Sequence, residues 1–145
     1  MLTAHALRFY SFVIISGILL SACTVQYVAD YDASIVEETV TIAKKVDLFW
    51  GELLDTPTTK RQYSAFREQY NIIETDIRGL LMKNRIRALN NESTEQVEIL
   101  LRLWVDDRES HKKKNSFSDF LAKRHRQQFE RVFIAIAKGE KAKDI

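Results

Sequence analysis

Few side chains in this sequence could do chemistry, and they fall into two groups. Cys23 is the only thiol. Beyond residue 22, His111 and His125 are the only imidazoles, and Asp107 stands one helical turn before His111. A zinc-type site could combine Asp107, His111 and His125, since imidazole nitrogens and carboxylate oxygens are ordinary zinc ligands. Across a helical hairpin, however, His125 falls more than a turn farther from the loop than His111, which separates the two rings. The Glu-x-x-His pair of bundle di-metal sites does not occur, nor does the Cys-x-x-Cys-His that attaches haem. Hydrogen-bonded or half-exposed histidines are therefore expected, with no metal and no cofactor.

Hydrolytic chemistry has no better footing. Gly-x-Ser-x-Gly, His-Glu-x-x-His and phosphate-cradling glycine loops are all missing. The acids Asp106 and Asp107 are neighbours in sequence, so a helix points them apart rather than at one substrate. A non-enzymatic protein is expected.

The surroundings of Cys23 are more specific. Arg8 is the only Lys or Arg before an uncharged run, FYSFVIISGILL, over residues 9–20. A hydrocarbon core needs about 20 apolar residues, so this run is too short to span one. It has the length of a signal-peptide apolar region, about 7–15 residues ahead of a small-residue cleavage site. Ser21, Ala22 and Cys23 follow at once.

Leu20-Ser21-Ala22-Cys23 resembles the lipobox of bacterial lipoproteins: Leu, a small residue, Gly or Ala, then Cys. The resemblance implies that Leu20, Ser21 and Ala22 are read by the signal peptidase. It also implies a diacylglycerol on the Cys23 thiol, cleavage before that residue, and acylation of the new amino group. Two or more acyl chains hold a protein stably where one does not, at ~0.8 kcal/mol per buried methylene. A lone thiol in an oxidising compartment is otherwise a liability; acylated, Cys23 is no nucleophile. Thr24 is not the Asp that retains enterobacterial lipoproteins in the inner membrane. The resemblance thus points to the periplasmic face of the outer membrane.

The chain from Cys23 onward is long enough for one domain with one core. Pro57 is the only proline, and after the signal the glycines are Gly51, Gly79 and Gly139. So few breakers argue for long helices. Residues 30–59 carry seven acids against Lys44 and Lys45, whereas residues 108–145 carry eleven bases against five acids. The first and last helices are expected to pack side by side with complementary surfaces.

Helical periodicity then places four elements. The first covers residues 34–54, capped by Asp32 or Ser34, with Ile35, Ile42, Val46, Phe49 and Leu53 on its inner face. After a break at Pro57, a second runs to about Leu89 through Tyr63, Phe66, Tyr70, Ile73, Ile77 and Leu80. Gly79 could mark a close crossing or a kink, and Asn84 continues the apolar stripe as a buried polar residue or a half-exposed one. Ser93-Thr94-Glu95-Gln96 has capping-box spacing for a third helix, which carries Val97, Leu100, Leu101, Trp104 and Val105. Asn115 or Ser116 opens a fourth, with Phe117, Leu121, Phe129, Val132, Phe133 and Ile136, ending at Gly139.

The expected protein is all-α: an antiparallel four-helix bundle after an N-terminal signal. Residues 1–22 are the lipoprotein signal, 23–33 the lipidated cysteine and short tether, 34–139 the bundle and 140–145 a tail. The expected role is a membrane-anchored envelope lipoprotein whose bundle is a protein-interaction module, as a secretion-system, assembly, inhibitor or immunity component. The alternative is a periplasmic carrier of a small ligand or metal in the bundle core. Expected partners are the membrane, through Cys23, and another envelope protein, with no nucleic acid. Lys112, Lys113, Lys114, Arg124 and Arg126 form the expected contact surface.

Overall fold

The three- and four-residue recurrence of apolar side chains resolves into four α-helices: α1 (Ala33–Asp55), α2 (Tyr63–Arg85), α3 (Asn91–Lys114) and α4 (Asp119–Lys141), with a 3-10 turn at Thr58–Lys60. The computed structural model describes residues 26–144, so the signal, its lipobox and Cys23 lie outside the described residues. Among those residues there is no strand. Each helix packs on two neighbours, chiefly α1 on α4 and α2 on α3, and the short connections make the bundle antiparallel. Its length follows from α1: 23 residues at 1.5 Å each span about 35 Å.

Aromatic rings fill the centre. Phe49, Trp50, Tyr70, Trp104 and Phe129 are all buried. Phe49 meets Trp50, Phe66, Tyr70 and Trp104 edge-on at centroid distances of 4.6 to 5.8 Å. Such geometry suits the ring quadrupole and adds about 0.5–1.5 kcal/mol per pair beyond burial. The Trp104 indole donates to the Tyr70 carbonyl at 3.1 Å, which fixes the register of α3 on α2.

Helix ends depart from the expected ones where side chains are drawn elsewhere. Of the two expected caps of α1 it is Asp32 that serves, accepting from the Ser34 amide at 2.9 Å and its hydroxyl at 2.5 Å; the other ends differ. Ser34 and neighbouring cations hold the Asp32 carboxyl below its usual range. α2 stops at Arg85 rather than near Leu89, and Leu89 adopts φ 56° in the loop. The capping box at Ser93 is not used: α3 starts at Asn91, and Ser93 is buried inside its first turn. Thr94 instead donates its hydroxyl to the Asn90 carbonyl at 2.8 Å. Ser118, rather than Asn115 or Ser116, caps α4.

Gly139 does not end α4, which continues to Lys141, and Glu140, expected in a tail, is buried. A cap glycine works by taking a left-handed φ, and no glycine among the described residues does so. Gly79 marks no close crossing either, because a Cβ there would meet only the end of the Glu38 side chain at 3.9 Å.

Each end of the bundle is closed by a buried polar knot. At the entry end, Glu140 accepts from the Asp32 amide at 2.9 Å and pairs with Lys143 at 2.6 Å. Arg87 lies 3.1 Å from the same carboxylate and donates to the Asp30 carbonyl. Asn84 is fully buried, as one of its two expected placements required, and accepts from Asn90 at 2.9 Å.

At the far end the centre is Arg61. Its buried guanidinium donates to the carbonyls of Leu54 (3.1 Å), Thr56 (2.7 Å) and Phe117 (3.0 Å), and it pairs with Asp119 at 2.7 Å. Carbonyls in the last turn of a helix have no intrahelical partner, and this arginine supplies one. Replacing Arg61 with Met strands those acceptors in a dry site, at about 1–3 kcal/mol for a stranded buried acceptor. We expect R61M to unfold at clearly lower urea than wild type with an unchanged slope. Equal midpoints would remove Arg61 from its place at the centre of this end.

Candidate interaction surface

The two histidines are built into the fold in different ways. His111 is fully buried among Tyr63, Phe66, Tyr70 and Phe117. Its Nε2 lies 2.8 Å from the Arg61 carbonyl, and its Nδ1 lies 3.2 Å from the Tyr70 hydroxyl. A carbonyl only accepts, so Nε2 carries the proton; burial disfavours the charged ring, so Nδ1 accepts from the Tyr70 hydroxyl. The ring is thus neutral with both nitrogens engaged, and burial lowers its pKa below the ordinary 6.5. Burial also raises that of Tyr70 far above 10.0.

His125 is half-buried and donates from Nδ1 to Asp107 at 2.7 Å. Its ring stacks on Trp50 with centroids 5.6 Å apart. Asp107 has its pKa raised, first by burial, with the His125 hydrogen bond opposing. A His-Asp pair can orient a general base, but among the described residues no hydroxyl hydrogen-bonds to His125. Asp107 and His125 do come together, while His111 is engaged by other partners. Among the described residues no three His, Cys, Asp or Glu side chains are placed to hold a metal ion.

The exposed candidates divide as well. Lys112, Lys113 and Lys114 close α3, and Arg124 lies near the start of α4, so all four are exposed around the far end. None of them forms an ion pair with another described residue. Arg126 stands apart. It grips Asp47 of α1 with both Nε (2.5 Å) and an Nη (2.7 Å), and Asp47 is its main perturber, holding its pKa up. The expected complementarity of acidic α1 and basic α4 is localised in this pair.

Two features of the surface are not evident from composition. Phe120 is largely exposed in the first turn of α4, one turn before Arg124. Helical spacing assigns Phe117 and Leu121 to the core and leaves Phe120 outside, so the same pattern that found its neighbours could have found it. The second is a groove of about 1160 Å³ between α1 and α4. Its apolar lining includes Val40, Leu48, Phe133 and Ile134, and Lys123, Arg126 and Leu54 line it towards the far end. Comparisons with protein-family models, with curated proteins and with solved structures each found no match. No described helix is long and apolar enough to cross a membrane.

His111 makes stability depend on pH with a definite sign. Its folded pKa lies below the unfolded one, so on acidification through 6.5 the unfolded chain takes up a proton that the folded chain refuses. The contribution is complete above that pH and is lost as pH falls below it. Asp107 works in the opposite sense from 3.8 upward, because its folded pKa is raised. Comparing H111Q with wild type isolates the imidazole. The drop in urea midpoint between pH 7 and about 5 should be smaller in H111Q; parallel curves would mean that His111 titrates alike in both states.

Proposed function

We propose that this protein is an envelope lipoprotein, anchored through acyl groups on Cys23, whose helical bundle holds a partner protein by its far end. The observation that carries the reading is the gathering at that end of four exposed cations, Lys112, Lys113, Lys114 and Arg124, that pair with no acid among the described residues, together with the exposed aromatic Phe120. Aromatic and Arg side chains are enriched among the residues that dominate binding energy at protein interfaces. Surplus like charge at one tip costs stability by self-repulsion, so a fold keeps it where a complementary surface offsets it. The partner surface is accordingly acidic, with an apolar recess for Phe120.

The anchor gives this end its meaning. The tether between Cys23 and Ala29 spans at most about 3.3–3.6 Å per residue, and Ala29 is bonded to the Leu89 carbonyl at the entry end. The basic tip lies at the end of the bundle opposite the tether, so it can reach farther from the bilayer than any other part. A partner held there is soluble, or belongs to an assembly that reaches this membrane.

Two measurements test the reading separately. Protein from its native host should take up labelled palmitate, and C23S should not; an unlabelled wild type ends the anchoring half. The triple variant K112E/K113E/R124E, and separately F120A, should each lower the yield of a photo-cross-linked partner formed in intact cells. Charge reversal should also abolish any salt dependence. Undiminished cross-linking in both variants would take the far end out of consideration.

A further inference from the structure

The end of the bundle opposite the basic tip has a different character. Five of the exposed large hydrophobic residues gather there: Tyr27 (81% exposed), Ile86 (80%), Met82 (66%), Leu89 (50%) and Val28 (43%). They come from two segments that the backbone ties together, because the Ala29 amide donates to the Leu89 carbonyl at 2.8 Å. Leu89 holds its place in a left-handed conformation, φ 56°, which is unfavourable for a residue with a Cβ. Glycine or asparagine would meet that backbone requirement more cheaply, yet the position presents a large apolar side chain to solvent.

The cations that follow or flank Ile86 on its own segment are paired: Arg85 with Glu98 at 2.7 Å, Arg87 with Glu140 at 3.1 Å and Lys83 with Glu38 at 3.0 Å, while Lys138 and Lys141 in the last turn of α4 are exposed at the same end. The patch itself therefore offers apolar contact more than charge. Its position relative to the anchor decides what covers it. Cys23 lies just before Tyr27 in sequence, and at about 3.3–3.6 Å per residue the intervening chain cannot carry its acyl groups far from this end.

We propose that the entry end is a membrane-seating surface: Tyr27, Ile86 and Leu89 insert into the interfacial zone of the bilayer that holds the Cys23 acyl chains. This rests on the anchoring reading above and goes beyond it, since a tether alone leaves the domain free to tumble. Apolar side chains at an interface sit about 5–10 Å deep, at the headgroup–acyl boundary. Inserting them fixes the bundle axis upright, with the basic tip outermost. The insertion itself is apolar, and Lys138 and Lys141 at the same end add an attraction to anionic headgroups that salt screens.

The test uses tryptophan as a depth probe in the full-length protein, purified with its native processing and reconstituted into phosphatidylcholine vesicles with brominated acyl chains. Trp50 and Trp104 are fully buried and give a constant background. Emission from I86W should be blue-shifted and quenched by the brominated lipid, whereas F120W, at the far end, should be neither. Quenching in I86W no greater than in F120W overturns the proposal. A blue shift without quenching overturns it too, since the patch would then be covered by protein, including a second copy. Mass spectrometry of the same samples reads acylation independently. Acylated protein with an unquenched I86W keeps the anchor and loses the seat. Unacylated protein whose I86W is quenched on added vesicles loses the anchor and keeps the seat.

Discussion

A guanidinium withdrawn from water must find acceptors in fixed places, and the far end of this bundle is arranged around that requirement. Arg61 takes the loose carbonyls at the end of α1, a carbonyl of the loop before α4, and the carboxylate of Asp119 in the first turn of α4. Its own carbonyl accepts from His111 of α3. One residue at the threshold of α2 thereby bonds to the end of α1, to α3 and to α4. Asn115 adds to this by presenting its side-chain oxygen to the Tyr63 amide at 3.0 Å, which satisfies one of the bare donors that open α2. Hydrophobic packing alone tolerates sliding and rotation of helices. A buried cation with several directed bonds does not, because any other register leaves charge or carbonyl stranded.

The entry end solves the mirror problem with a buried anion. Glu140 gathers Arg87, Lys143 and the Asp32 amide, so the start of α1, the loop after α2 and the end of α4 share one carboxylate. Between the two knots the aromatic core needs only to be well packed. Specificity sits at the ends and bulk stabilisation in the middle, at about 1.5–3 kcal/mol for each large apolar side chain removed from water.

This division explains what could be read from the sequence. Ile35, Ile42, Val46, Phe49 and Leu53 announce α1 because helical burial recurs every three or four residues, and the same holds for the other three inner faces. The knots carry no period. Arg61 looks like one base in a polar stretch, and Glu140 follows a glycine that reads as a stop. Their burial depends on which helix ends meet, a property of the assembled bundle. Asn90 takes the N-cap position of α3 without a side-chain cap bond, since its amide is held by Asn84 and its oxygen by Lys143. In the site, the lysine run at 112–114 was legible as charge. The commitment of Arg126 to Asp47 was not, because that pair joins residues 79 positions apart.

The two ends also differ in what they leave outside, and the difference bears on how the molecule is used. The polar knots bind inward, so each end is free to carry a separate outer surface: cations and Phe120 at one, Ile86, Leu89 and Tyr27 at the other. The bundle is about 35 Å long and is tied at both ends, so its two outer surfaces are held apart. If the apolar end rests on lipid, the cations are held beyond the Debye length of about 8 Å at physiological ionic strength, outside the reach of any headgroup charge. Their field then acts on what approaches from the compartment rather than on the membrane beneath. A flexible protein with the same composition would let its basic segment fall back onto anionic lipid. On that seating, the ties made by Arg61 and Glu140 would keep the two surfaces from competing.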